Sequence, residues 1–117
     1  LYTVGTRLDH ICPWRGVFRT CRLVTGPRRF VLSSEGHITG IINPHTEGSR
    51  RTYRAGAVDT PEEPEVWLRR QEERRGSWWP DWISWLQQQD STRRPAPALG
   101  NRKYPPRERA PGTYVHE

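Results

Sequence analysis

Two short apolar runs, Tyr2-Thr3-Val4 and Phe30-Val31-Leu32, are separated by a stretch with room for one helix. That spacing constrains the chain more than any other feature. Residues 1–5 read as a strand, and "RLDHICPW" (7–14) as the loop that leaves it. Pro13 suits the first turn of a helix, where its fixed φ is helical and its missing N–H would have had no partner. Val17, Phe18, Cys21 and Leu23-Val24 recur at roughly helical spacing until Gly26-Pro27 stops the run. "RRFVL" (28–32) then reads as a second strand, short and continuously apolar like a buried parallel one. Strand, loop, helix and strand make a βαβ unit, so the two strands are expected to be parallel. Such a pair is not a finished domain, because a parallel sheet needs both faces covered and neighbours at its edges.

Beyond the second strand the signals thin out. Gly40-Ile41-Ile42 begins a further element that Asn43-Pro44 interrupts, and residues 45–60 read as polar and turn-like. "TPEEPEVWLRRQEER" (60–74) carries a helix start, with Thr60 as N-cap, Pro61 in the first position and acids in the first turn. Trp67 and Leu68 are its apolar contacts. "GSWWPDWISWLQQQ" (76–89) predicts a short helix opened by Pro80, with Trp82, Trp85 and Leu86 on one face. From residue 91 the chain is rich in Pro, Arg and Ala without periodicity, and an extended tail is expected.

Only 32% of the 117 residues are apolar and 11 are proline, so a core built by this chain alone would be thin. There is no methionine, and strand-like residues begin at Leu1. The expectation is a C-terminal fragment of something larger. The formal charge is +6, and all but one of the 19 basic residues are arginine. They fall in scattered pairs, several beside acids, which suits a solvated surface better than a phosphate-binding patch. No nucleic-acid partner is therefore expected. No apolar run approaches the ~20 residues of a membrane span. Cys12 and Cys21, placed by this reading in one helix, are too few for a disulfide framework and fit no usual zinc spacing. Two reduced thiols and no metal are the expectation.

In a parallel α/β sheet the loops after the carboxyl ends of the strands carry the site. The first such loop presents Asp9 and the second His37. A carboxylate that binds one imidazole nitrogen fixes the tautomer and leaves the other nitrogen as a base. This is two-thirds of a nucleophilic triad. An elbow nucleophile needs Gly, any residue, Ser or Cys, any residue, Gly. Gly36 and Gly40 are the only pair at that spacing and enclose Ile38, so no nucleophile is found in this chain.

"DHICPW", "RFVLSSEGHITGIINP", "GSWWPDWISWL" and "APGTYV" follow one another in order over nearly the whole chain. Together they resemble the C-terminal part of a class I polyhydroxyalkanoate (poly-3-hydroxybutyrate) synthase. Leu8 stands where that family usually has Glu, and His45 where it has a second Pro. The resemblance implies an α/β-hydrolase fold, of which this chain would supply two parallel strands with their crossover helix, short Trp-rich helices and an extended tail. Residues 1–48 would be the edge of the catalytic domain, 49–90 a Trp-rich docking segment and 91–117 the tail.

The implied activity is acyl transfer. Such enzymes polymerise (R)-3-hydroxyacyl-CoA into a polyester and release CoA through a cysteine thioester. The position of His37 implies the base that activates the thiol. That of Asp9 implies support of the histidine and activation of the incoming 3-hydroxyl. His10 and Trp14 would support the acid loop, and the Trp cluster would serve packing. No cofactor is implied. The implied partners are the acyl-CoA, the growing polyester and the remainder of the synthase chain. Dimerisation is a family trait, and the implied location is cytoplasmic, on polyester granules. Alone, the chain is expected to be inactive. The competing reading is a basic, non-enzymatic module that binds nucleic acid or a partner protein through Arg and Trp.

Overall fold

The computed structural model describes residues 1–59 and 61–116. A four-stranded mixed sheet runs β1 (Tyr2–Thr6), β2 (Arg29–Ser33), β3 (Thr52–Ala57) and β4 (Arg74–Arg75), in that spatial order. β1 and β2 are parallel, with Tyr2 opposite Arg29 and Thr6 opposite Ser33. They are joined through α1 (Trp14–Arg19) and a 3₁₀ turn (Thr20–Leu23). The expected βαβ unit is therefore present. β2–β3 and β3–β4 are antiparallel. The outer edge of β1 has no strand beside it among the described residues.

Alternation along β2 sorts the core onto two faces. Phe30 and Leu32 face Trp14, Phe18, Cys21, Val58 and Trp67, supplied mainly by α1 and α2 (Pro64–Arg70). Val31 faces the other way, with Ala55 and Trp78. Phe30 meets Phe18 and Trp67 edge-on, each with ring centroids 5.0 Å apart. This is a favoured arrangement of aromatic quadrupoles. The Trp67 indole N–H also donates to the Ala57 carbonyl at 3.0 Å, which ties α2 to the end of β3. α1 and α2 thus cover one face, and on the other the cover is mainly Trp78 with the partly buried Trp79.

Several expectations are corrected. Residues 45–60 are not all turn: β3 lies among them, and it satisfies the second edge of β2. Its sequence, Thr-Tyr-Arg-Ala-Gly-Ala, lacks the apolar run that marks β2. Gly40-Ile41-Ile42 belongs to a turn rather than to a new element. α2 starts at Pro64 with Glu63 before it, three residues later than Pro61, while Thr60 lies outside the described residues. A helix running through Pro64 from a start at Pro61 would lose an interior N–H and meet the ring, so the second proline sets the start. Arg74–Arg75 pair with β3 as β4 instead of ending that helix. Pro13 precedes α1 rather than entering it. The cysteines do not share a helix: Cys12 is in the loop and Cys21 in the 3₁₀ turn.

α3 (Trp79–Gln89) has Pro80 in its first turn, as its sequence suggests. It buries none of its residues; Trp82 and Leu86 are each about 40% exposed, and Trp78, just before it, supplies the buried ring. What fastens α3 is Asp81, whose carboxylate accepts from Tyr2 Oη at 2.9 Å and Arg29 Nε at 2.8 Å, and also from Arg29 Nη2. Several other arginines are ion-paired: Arg15 with Glu65, Arg22 with Glu63 at 2.6 Å, and Arg70 with Asp59 at 2.7 Å and Glu62 at 2.9 Å. After Asp90 the chain has neither α-helix nor strand and is almost wholly exposed, with bends at 99–100 and 102–104 and a turn at 110–111 before a 3₁₀ turn at Tyr114–His116. No helix among the described residues is long and apolar enough to cross a membrane.

Candidate active site

Because β1 and β2 are parallel and in register, both chains leave the sheet at one edge. The ladder continues past the strands: Arg7 N donates to the Ser33 carbonyl at 2.8 Å, and Leu8 N to that of Glu35 at 3.1 Å. The two loops are thereby held side by side. Asp9 and His37, 28 residues apart, meet with Oδ2 and Nδ1 at 2.8 Å. Of the residues singled out from sequence, these two are brought together. Trp14 is buried in the core as the first residue of α1, beneath the loop, and His10 is exposed.

The acid is the fixed member. Its Oδ1 accepts from the backbone N–H of Ile11 and of Cys12, both at 2.8 Å, and Oδ2 accepts from Thr6 Oγ1 at 3.2 Å. The Cys12 amide above all, with His37 and the Ile11 amide, holds the Asp9 carboxyl well below the usual range for Asp. With Asp9 ionised, Nδ1 of His37 carries the ring proton and Nε2 is left as the acceptor. The Asp9 side chain is 6% exposed and that of His37 45%, so the carboxylate backs an imidazole that faces out.

The histidine sits in a tight turn closed by Gly40 N to Gly36 O at 2.9 Å and Ile42 N to Ile38 O at 2.8 Å. Gly40 lies so close to β1 that a Cβ there would stand 2.3 Å from Thr6 Cγ2 and 2.8 Å from the Gly36 carbonyl. Glycine is therefore required by close approach, not by backbone conformation. The outer side of the turn is gripped by the Trp segment. Trp78 Nε1 donates to the Gly40 carbonyl at 2.8 Å and Trp79 Nε1 to that of Ile41 at 3.1 Å. Arg51 Nη1 adds bonds to the Ile42 carbonyl and to Asn43 Oδ1.

Thr6, Gly40, Trp78 and Trp79 were not among the site residues read from sequence. The Gly-x-x-x-Gly spacing around the histidine was a signal for Gly40. The Trp pair gave none, since its partners are main-chain carbonyls. Asp9, Cys12 and His37 line a cleft of ≈ 250 Å³ with Thr6, Val17 and Ile41. Neither cysteine occupies a strand-to-helix elbow: Cys12 follows the acid in its loop, and Cys21 is buried in the 3₁₀ turn.

Fold and site together define a small α/β domain that displays an acid–imidazole pair at the carboxyl edge of two parallel strands. Sequence comparison makes the class specific. The chain is 44% identical over 115 residues to the poly(3-hydroxyalkanoate) polymerase subunit PhaC of Cupriavidus necator, covering 97% of this chain and 19% of that protein. It is 42% identical over 115 residues to poly(3-hydroxyalkanoate) polymerase 2 of Ectopseudomonas oleovorans, covering 97% and 20%. With the polymerase subunit PhaC of Rhizobium etli the identity is 37% over 117 residues, covering 100% and 18%. Over nearly its whole length the chain is thus similar to the C-terminal part of proteins named poly(3-hydroxyalkanoate) polymerases. It spans about a fifth of the length of these curated relatives. No protein-family model matches it.

Proposed function

We propose that this chain supplies the acid and the histidine of a Cys-His-Asp acyl-transfer site that polymerises (R)-3-hydroxyacyl-CoA, the cysteine coming from the rest of the polymerase. The observation that carries this reading is the 2.8 Å contact between His37 Nδ1 and a buried, ionised Asp9. In the proposed cycle Nε2 takes the thiol proton, and the thiolate attacks the thioester carbonyl. CoA leaves with that proton and the acyl group stays on sulfur as a thioester. The 3-hydroxyl of the next acyl unit then loses its proton to the His37–Asp9 pair and attacks the thioester carbonyl, forming the new ester bond as the acyl–sulfur bond breaks and the cysteine sulfur takes the proton back from His37.

The frame is proposed to be the edge of an α/β-hydrolase fold. The outer edge of β1, unpaired among the described residues, supports this, since it leaves room for the next strand of a longer sheet. Residues 1–48 would belong to that catalytic domain, 49–90 to a docking segment and 91–117 to a tail. The cytoplasm, at the surface of the polyester granule, is the proposed location. The ion-paired arginines and the buried Trp67 and Trp78 weigh against the basic-module reading.

The test is CoA release from 3-hydroxybutyryl-CoA by the polymerase that carries this segment, followed with a thiol reagent. His37→Ala is expected to lower the rate by about 10³-fold or more, and Asp9→Asn by about 10²–10³-fold, with the circular-dichroism spectrum unchanged. The 117-residue chain alone is expected to release none. Near-normal turnover in either variant would sink the proposal.

A further inference from the structure

The acyl-transfer reading leaves one donor in the cleft unused. Cys12 is an exposed free thiol. Its Sγ, an Asp9 carboxylate oxygen and a His37 ring nitrogen all lie within 4.8 Å of one another. We propose that Asp9, Cys12 and His37 form a three-ligand site for a divalent cation of the zinc class, with the fourth position open to water.

The donor set selects the ion. A thiolate, an imidazole and a carboxylate suit zinc and its neighbours, whereas calcium and magnesium require six or more oxygens. Bond lengths to zinc place tetrahedral donors roughly 3.3–3.7 Å apart, so the cluster must contract by about 1 Å. The acid cannot supply that movement, because Thr6 and the amides of Ile11 and Cys12 fix it. The exposed side chains of Cys12 and His37 can, by rotation about their own bonds. The cleft of ≈ 250 Å³ has room for the ion and its water. Binding releases the Cys12 thiol proton to solvent.

The Asp-x-x-Cys spacing with a histidine 25 residues later matches no zinc-finger pattern, and only the parallel register of β1 and β2 assembles the set. A consequence follows if the acyl-transfer reading holds. Whichever ring nitrogen binds the ion, the neutral imidazole has none left to accept a proton, so metal occupancy and base function exclude each other. The site itself does not depend on that reading.

The test uses Co²⁺ alone, titrated into the purified protein without substrate, so its failure is separate from any failure of the acyl-transfer reading. A near-ultraviolet sulfur-to-cobalt band is expected, saturating at one equivalent and bleached by Zn²⁺. Cys12→Ser should lose the band while its melting temperature stays unchanged, because the side chain is exposed. The Cys21→Ala variant should keep it. Asp9→Asn and His37→Ala should each weaken Co²⁺ binding by about tenfold or more. Zn²⁺ should also slow alkylation of Cys12, read by mass spectrometry, by about tenfold or more. No band in the unaltered protein, a band that survives Cys12→Ser, or an alkylation rate indifferent to Zn²⁺ overturns the site.

Discussion

The indole N–H of Trp78 donates to the carbonyl of Gly40, 38 residues earlier, at 2.8 Å and out of contact with water. The neighbouring Trp79 does the same to Ile41 from a more exposed position, and Ser77 Oγ donates to the carbonyl of Asn43. Three consecutive residues therefore hold three carbonyls of the segment that follows His37. The Trp segment does more than fill space against the sheet: it fixes the backbone that aims the imidazole. Packing alone would ask only for a large apolar ring. The N–H asks for tryptophan.

Replacing Trp78 by Phe separates these roles, since it keeps a ring and removes the donor. A buried carbonyl left without a partner costs about 1–3 kcal/mol. The turn should open more often, and the Gly40 and Ile42 amides, both bonded within it, should exchange with solvent at least about tenfold faster. Trp79→Phe should have a smaller effect, because water can reach the Ile41 carbonyl. Hydrogen exchange followed by mass spectrometry on residues 36–42 decides it. Equal exchange in Trp78→Phe and the unaltered protein would remove the positioning role.

Gly40→Ala tests the same turn from its inner side. The added methyl would stand 2.3 Å from Thr6 Cγ2, a contact neither chain can hold without shifting. Overpacking of this kind costs about 1–3 kcal/mol. The shift falls on the residue that donates to Asp9, so Asp9–His37 geometry should suffer with stability. Thr6→Ser removes the offending methyl and keeps the hydroxyl. The double variant should recover part of the lost melting temperature, though not all, because the Gly36 carbonyl remains 2.8 Å from the new Cβ. A double variant no more stable than Gly40→Ala would show that Thr6 is not the obstacle.

How much of this could be read beforehand follows the physics of each element. β1, α1 and β2 were legible because apolar runs, helical spacing and the Gly26-Pro27 stop all agree. Asp9 and His37 were legible because parallel strands send their loops to one edge. β3 was not, since a strand of Thr, Tyr, Arg, Ala and Gly carries little apolar signal and owes its existence to the edge of β2. The start of α2 was misplaced because two prolines three residues apart both look like first-turn residues, and only the later one is. The grip of Trp78 on Gly40 was out of reach because its acceptor is backbone, which no residue letter marks. Cys12 was read by its distance from Cys21, whereas donor atoms of Asp9 and His37 lie within 4.8 Å of its sulfur, a proximity that no sequence spacing marks.

Asp81, alongside Asp9, contributes to the acid limit of stability, and Tyr2 to the alkaline one. Burial opposes the charge of Asp81, yet hydrogen bonds from Arg29 and Tyr2 outweigh it and hold the carboxyl below its ordinary value of 3.8. As pH falls, the unfolded chain therefore takes up this proton first. The stabilisation is complete above the ordinary Asp range and disappears as pH drops through the folded value. Burial, and then the Asp81 hydrogen bond, push the Tyr2 hydroxyl far above its ordinary 10.0, so its share is complete below that value and is lost as pH climbs towards the folded one. The Asp81 side chain is 8% exposed and that of Arg29 28%, so Asp81→Ala should destabilise by about 2–4 kcal/mol, somewhat less than for a fully buried pair. In urea titrations, Asp81→Asn should lower stability at neutral pH and flatten its decline below pH ~4, while Tyr2→Phe should flatten the decline above pH ~10. An acid limb as steep in Asp81→Asn as in the unaltered protein would mean that another carboxylate carries it.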